Sequence, residues 1–284
     1  MTVLRRHPEW IKVRAPSGDA FFQTKRLVQE LRLHTVCEEA HCPNVGECWS
    51  HKTATFMLLG EVCTRNCSFC AVTHGRPAAV DPDEPARVAE GVVRLGLTHV
   101  VVTSVDRDDL PDGGADHFAR TAAAIKARVP ACTVEVLVPD FRPDDTAIDR
   151  VVDAPVDIVN HNTETVPRLY KTVRPGAKYE RSLRLLQRAK ERRPTVFTKT
   201  GLMLGLGEDG GEVRAVFADL AGVGCDILTL GQYLRPSAAQ LPVARYLAPS
   251  EFADFRADAL RCGFRHVESG PLVRSSYHAW EHIR

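Results

Sequence analysis

From residue 53 onward the chain alternates short apolar runs with amphipathic stretches, and this alternation limits its fold more than any other feature. The runs Thr55–Leu59, His99–Thr103, Thr133–Val138, Asp157–Asn160, Thr195–Leu204 and Asp226–Leu230 are rich in Val, Ile, Thr and Leu. Strands covered on both faces have that composition. Between them the periodicity predicts helices over Pro85–Leu95, Asp116–Val129, Asp144–Ala154, Tyr179–Arg193 and Gly211–Val223, with Asp83 or Glu84 and Asp144 or Asp145 as caps. Repeated strand–helix units imply right-handed crossovers and a parallel sheet. Six units curl into a partial (βα)6 TIM-like barrel more readily than they lie flat, although a doubly wound sheet fits the same pattern. In either case ligands gather at the carboxyl ends of the strands.

A chain of 284 residues accommodates one such domain. Residues 1–52 fall outside the rhythm and read as an N-terminal extension. The barrel spans 53–235, and 236–284 form a C-terminal tail with a helix at Pro249–Cys262, a run at His266–Ser269 and the segment Gly270–Tyr277. Extension and tail are expected to cover the barrel mouth.

With 44% hydrophobic and 26% charged residues the chain can bury a sizeable core, and a net charge of +1 argues against a general nucleic-acid binder. The opening segment is locally basic (Arg5, Arg6, Lys12, Arg14, Lys25, Arg26, Arg32), which suits either a solvated face or a docking edge for an acidic partner. No apolar run approaches membrane-spanning length. The first residues lack the apolar centre of a secretory signal, and Pro8, Glu9 and Pro16 fit a transit peptide poorly. A cytoplasmic, reducing setting is therefore expected, without a membrane partner. There, nine cysteines serve as metal ligands or buried thiols rather than disulfides.

Cys63, Cys67 and Cys70 form C-x3-C-x2-C just after the first strand; Cys37, Cys42 and Cys48 form C-x4-C-x5-C just before it. Cys132, Cys225 and Cys262 stand singly in apolar surroundings and are expected to be buried thiols. Structural zinc wants four ligands, usually as two close pairs, and neither triplet supplies that. A four-iron cubane has four corners, so three thiolates leave one open for chemistry. Phe69, between the last two cysteines of its loop, is placed to shield a cluster from water. For Cys37–Cys48, a zinc site completed by His34, His41 or His51 stays open as an alternative.

The C-x3-C-x2-C loop resembles that of the radical S-adenosylmethionine superfamily. Over nearly its full length the chain further resembles the lipoyl synthase family. Seven blocks carry this: CEEAHCPNVGECW from Cys37, ATFMLLGEVCTRNCSFCAV from Ala54, VVTSVDRDDLPDGGADHF from Val101, NHNTETVPRLYKTVRPGAKYERSL from Asn160, KTGLMLGLGE from Lys199, LTLGQYLRPS from Leu228 and GPLVRSSYHA from Gly270. The resemblance implies insertion of two sulfur atoms, at C6 and C8 of an octanoyl chain on a lysine of a lipoyl-carrier domain or H protein. It implies two 4Fe-4S clusters and S-adenosylmethionine, whose cleavage at the Cys63–Cys70 cluster gives a 5′-deoxyadenosyl radical. Cys37, Cys42 and Cys48 would then hold an auxiliary, sulfur-donating cluster with Ser276 as fourth ligand, or Ser275 failing that, and Arg274 would orient the ligand or balance charge. A ferredoxin or flavodoxin as electron donor and an iron–sulfur carrier for rebuilding are implied as partners.

Other residues at strand ends are candidates for cofactor or substrate contact. Gly201, Met203, Gly205 and Glu208 belong to a glycine-rich stretch resembling the superfamily's adenine-contacting segment. Thr103 and Ser104 end the second strand, where the cofactor's amino group is met; Asn160 ends the fourth and suits the ribose. His161 and Asn162 suit the substrate. Asp106, Arg107, Asp108 and Asp109 read as a salt-bridged loop rather than a metal site. Lys171 and Arg174 suit a carboxylate, an acidic carrier or plain surface. Thr200 stands where the family pattern leads one to expect serine, keeping the hydroxyl, and the tail after the serines departs from the family's longer one.

Overall fold

A computed structural model of the chain describes residues 7–13, 15–51, 54–142 and 144–283. Arg5, Arg6 and Arg14 of the basic opening lie outside these residues; Lys12, Arg26 and Arg32 are exposed. The elements run α1 (Asp19–Glu30), β1 (His34–Thr35), α2 (Val36–Glu39), α3 (Val45–Ser50), β2 (Thr55–Leu58), α4 (Glu84–Leu95), β3 (His99–Ser104), α5 (Ala115–Arg128), β4 (Thr133–Leu137) and α6 (Asp145–Asp153). They continue with β5 (Ile158–Asn160), α7 (Tyr170–Val173), α8 (Tyr179–Arg192), β6 (Phe197–Leu204), α9 (Gly210–Gly222), β7 (Ile227–Gln232), α10 (Pro249–Arg261) and β8 (His266–Gly270).

The sheet order is β1-β2-β3-β4-β5-β6-β7-β8, every pair parallel except β1–β2. Strands that are neighbours in sequence are neighbours in the sheet, so same-handed crossovers put the helices on one face. A doubly wound sheet reverses its order partway and is thereby excluded. β2 to β7 are the six expected strands, within a residue or two. The extension adds β1 on one edge, and the run His266–Ser269 is a full strand, β8, on the other.

The main core lies between the sheet's outer face and the helices, where Phe56, Val102, Val134, Val136 and Leu228 meet Val92, Phe118, Ile125, Val151, Leu185 and Phe217. The concave interior is more polar. Lys199 Nζ donates to both Glu135 oxygens at 2.8 and 3.0 Å, and Asn160 Nδ2 donates to Glu135 at 2.7 Å, all three side chains fully enclosed. Burial opposes ionisation of Glu135, yet Lys199 and His99 hold its carboxyl down at about 2.

Candidate active site

The Cys63–Cys70 loop leaves the carboxyl end of β2, and main-chain bonds set its shape. Cys63 N donates to Thr73 O at 2.8 Å, Ser68 N to Val173 O at 3.0 Å and Cys70 N to Cys67 O at 3.0 Å. The Arg65 and Asp106 amides point at Cys63 Sγ, at 3.4 and 3.3 Å. Arg65 is tied to Asp108 at 2.8 Å and Asp140 at 2.6 Å and faces Asp106 at 3.5 Å, while Arg107 pairs with Asp109 at 2.8 Å. The acidic loop is thus the salt-bridged brace expected.

Of the second triplet, Cys37 sits on α2, Cys48 on α3 and Cys42 on the turn between them. Thr35 caps α2, accepting from Glu38 N at 3.4 Å, and α3 is anchored by Trp49, 1% exposed and 5.4 Å from the Phe21 ring. Burial drives the thiols up: Cys37 to about 12, Cys67 to about 12 and Cys63 to about 11, with Cys42, Cys48 and Cys70 also raised. Within each set the thiols raise one another: Cys42 acts on Cys37, both act on Cys48, and Cys70 acts on Cys63 and Cys67. Two packed groups of neutral thiols become thiolates only when a bound metal supplies the compensating charge, as the irons of a cluster do. The donor sets therefore fit iron–sulfur clusters.

One cavity of about 390 Å³ joins the two groups, lined by Cys37, Cys42, Cys48, Phe69, Cys70, Asn162, Gly201, Met203, Arg274, Ser275 and Ser276. Ser275 Oγ donates to Asn162 Oδ1 at 2.5 Å, while the Ser276 hydroxyl has no hydrogen-bond partner among the described residues. A Cβ on Gly201 would come within 3.0 Å of Ser275 Oγ, and one on Gly231 within 2.1 Å of Val273 O, so both glycines leave room for the serine arm. Arg274 is half-buried beside Cys42; desolvation pulls its pKa down against the attraction of Cys42 and Glu164.

Several expected contact residues lie off this cavity. His161 points outward, its Nδ1 on Val138 O at 2.8 Å and its Nε2 on Ser182 Oγ at 2.9 Å, so its ring is engaged beneath α8 and turned from the substrate side. Burial holds that imidazole down at about 4, and it is neutral. Asn160 is engaged by Glu135, and Thr103 donates to Leu137 O at 2.9 Å. Ser104 Oγ is buried without a hydrogen-bond partner among the described residues. Glu208 braces its own loop, accepting from Gly205 N at 2.6 Å and Leu206 N at 2.9 Å, and a Cβ on Gly205 would meet Gln232 and Arg245. These residues support the mouth without lining it. Cys262 corrects another expectation: it caps α10 and is exposed, whereas Cys132 and Cys225 are buried.

Sequence reading passed over Glu164 and Tyr233, which line the cavity. Glu164 has a left-handed backbone (φ 67°), is bonded to Gly201 O at 2.8 Å, and its carboxyl is pushed up by burial against the pull of Arg174. Its signal was present, inside the block beginning at Asn160. Of Lys171 and Arg174, only Arg174 turns inward: it is 9% exposed, donates to Asn162 O at 2.7 Å and leaves a buried Nε without a partner near Cys67. Thr200 uses its hydroxyl to donate to His161 O at 2.8 Å and to accept from Thr163 N at 3.0 Å.

Fold and site together define a radical S-adenosylmethionine enzyme. The model of that superfamily matches residues 57–220, and that of the N-terminal domain of lipoyl synthase matches residues 2–42. The chain is 58% identical over 274 residues to the lipoyl synthase of Rubrobacter xylanophilus, covering 96% of this chain and 85% of the relative. It is 56% identical over 278 residues to that of Chloroflexus aggregans, covering 98% and 91%. The chain belongs to the lipoyl synthase family of radical S-adenosylmethionine enzymes. Solved structures share the fold at low identity. Methylornithine synthase matches with TM-score 0.52 at 15% identity over 92% of this chain and 82% of its own. Streptococcus suis SuiB bound to S-adenosylmethionine matches with TM-score 0.57 at 9% identity over 79% and 53%. The family implies a 4Fe-4S cluster, S-adenosylmethionine and a protein-bound octanoyl substrate. No helix among the described residues is long and apolar enough to cross a membrane.

Proposed function

We propose that this chain makes lipoyl groups with two clusters, which the two cysteine triplets would hold around one cavity. Cys63, Cys67 and Cys70 would hold three corners of one, leaving the fourth open to S-adenosylmethionine. Cys37, Cys42 and Cys48 would hold three corners of the other, and Ser276 its fourth. When bound, these groups supply a 5′-deoxyadenosyl radical to take hydrogen from carbons 6 and 8, and the sulfide that each carbon then receives.

The chain's own residues position and shield. The Arg65 and Asp106 amides fix Cys63, and the unpartnered Arg174 Nε offers a buried cation to the cofactor carboxylate. Gly201 gives the adenosyl group close access to backbone, with Met203 beside it. Phe69, Leu137 and Tyr233 keep the cavity apolar, so that a radical meets carbon–hydrogen bonds rather than water. Ser275 is already engaged by Asn162, which leaves Ser276 as the free hydroxyl. An oxygen ligand is poorly matched in softness to this set, so its corner opens more easily than a thiolate corner. Arg274, beside Cys42, offsets the charge of the thiolates. No side chain is required to move a proton.

In this reading residues 1–52 carry the auxiliary ligands, 53–235 the radical barrel and 236–284 the serine arm. A ferredoxin or flavodoxin supplies electrons, an iron–sulfur carrier rebuilds the spent cluster, and the setting is cytoplasmic. The convergence of Cys37, Cys42, Cys48, Cys70 and the serine arm on one cavity carries the reading. Anaerobic reconstitution tests it: about eight irons per chain are expected, with loss of iron and sulfide from the protein matching lipoyl formed on an octanoylated carrier. Thiolated product forming while the Cys37–Cys48 cluster stays intact would make that cluster an electron conduit and sink the sulfur-donor role.

A further inference from the structure

The barrel interior holds a second polar cluster away from the cysteines. His266 and Glu268 stand two residues apart on β8, so the pleat turns both side chains to one face. The tail brings His282 against them. The His266 and His282 rings are 4.7 Å apart at 33°, and His266 Nε2 lies 3.6 Å from Glu268 Oε2. A nitrogen from each ring and a Glu268 oxygen all lie within 4.8 Å of one another. His282 is 4% exposed, and neither of its ring nitrogens has a hydrogen-bond partner among the described residues, while His266 Nε2 meets Glu268 at 3.6 Å, beyond hydrogen-bond length. An imidazole carries a donor, an acceptor or both, and burying these unmet is costly. The nearby charged groups do not relieve it: Lys199 is engaged with Glu135 at 2.8 Å, and His99 faces the same carboxylate at 3.4 Å.

We propose that His266, Glu268 and His282 bind one divalent transition-metal ion. Two imidazoles and one carboxylate form a donor set suited to zinc or ferrous iron and poorly suited to magnesium or calcium. Tetrahedral arms of about 2.0–2.1 Å set neighbouring ligand atoms about 3.4 Å apart, close to the 3.6 Å between His266 and Glu268. Rotation of the His282 ring closes the third arm, and water completes the shell. The ion would pin the end of the tail to β8, and so fix the arm that carries Ser276. This last consequence rests on the serine's proposed role, whereas the metal site itself does not.

The test uses the cluster-loaded enzyme, incubated with zinc and desalted anaerobically. About one zinc per chain is expected, with an X-ray absorption shell of nitrogen and oxygen only at about 2.0–2.1 Å. His282→Ala and Glu268→Gln are each expected to lose that zinc at unchanged iron and sulfide content; should His282→Ala not fold, Glu268→Gln alone decides. No retained zinc overturns the proposal, as does equal zinc in the variants. So do sulfur neighbours at about 2.3 Å, which place the ion on cluster cysteines instead. Zinc content is read without turnover, so its failure is distinct from failure to form lipoyl product.

Discussion

The two cysteine triplets are held in different ways. Cys63–Cys70 belongs to the end of a strand, and main-chain bonds within the barrel give its loop its shape. Cys37–Cys48 rides on helices of 4 and 6 residues and the turn between them, helices too short to stand alone in water. These are fixed from the far end of the chain: Asn44 Nδ2 donates to Leu272 O at 2.7 Å, Tyr277 OH to Glu47 at 3.1 Å, and His278 Nε2 lies 3.3 Å from the same carboxylate. One site follows from a strand end, while the other exists only once the two ends of the chain meet. For the proposed chemistry that division is useful. The proposed sulfur-donating cluster would be mounted where local rearrangement need not disturb the barrel.

The largest expected effect separates the two triplets outright. Cys67→Ala is expected to abolish both 5′-deoxyadenosine formation and lipoyl product. Cys42→Ala is expected to keep reductant-dependent 5′-deoxyadenosine while lipoyl product falls to background. Chromatographic quantitation of both products checks this. Loss of cofactor cleavage in both variants would break the distinction.

The same contrast decides what the sequence makes legible. β2 to β7 stand within a residue or two of their apolar runs, because a strand covered on both faces leaves a local signature. β1 has two residues and no such signature, and β8 lies beyond the repeating rhythm. At the candidate site, the cysteine triplets stand out by spacing, whereas a strand end shows its candidate contact residues only to within one position. Side chains alternate across a strand, so Asn160 turns in to Glu135 and His161 turns out to Ser182. At the strand's end Asn162 reaches the cavity and Ser275. A strand end read without its register cannot sort these three. The engagement of Ser275 by Asn162 joins residues 113 apart, and only the folded chain reveals it.

The next effect probes the barrel on which the comparison depends. Lys199→Met strands Glu135 in the interior without its cation, and loss of one partner of a buried pair costs about 3–5 kcal/mol. Denaturant unfolding should show that loss across both triplets, since the barrel carries both. The pH dependence should change with it. Glu135 is held below its ordinary value of 4.5, at about 2, so its stabilisation is present above pH 4.5 and fades as pH falls towards 2. Without Lys199 to hold it low, that acid-side loss should flatten. Gly231→Ala acts more locally. Its Cβ would lie 2.1 Å from Val273 O, displacing the serine arm at a cost of about 1–3 kcal/mol. Lipoyl formation is expected to fall by more than 5′-deoxyadenosine formation; an equal fall in both would detach the arm from sulfur transfer.

The smallest effect is the most selective. Tyr277→Phe removes one hydrogen bond to Glu47 and leaves the tyrosine ring stacked on His278 at 3.9 Å. A bond of this kind contributes about 0.5–1.5 kcal/mol, so the global melting temperature should barely move. Because extension and tail hold each other across the Cys37–Cys48 site, the whole loss is expected to appear there. Amide hydrogen exchange should accelerate in α2 and α3 while β3 to β6 keep wild-type protection. Uniform acceleration over the sheet would mean that the extension is as integral to the barrel as the Cys63 loop, and that the two triplets share one mounting after all.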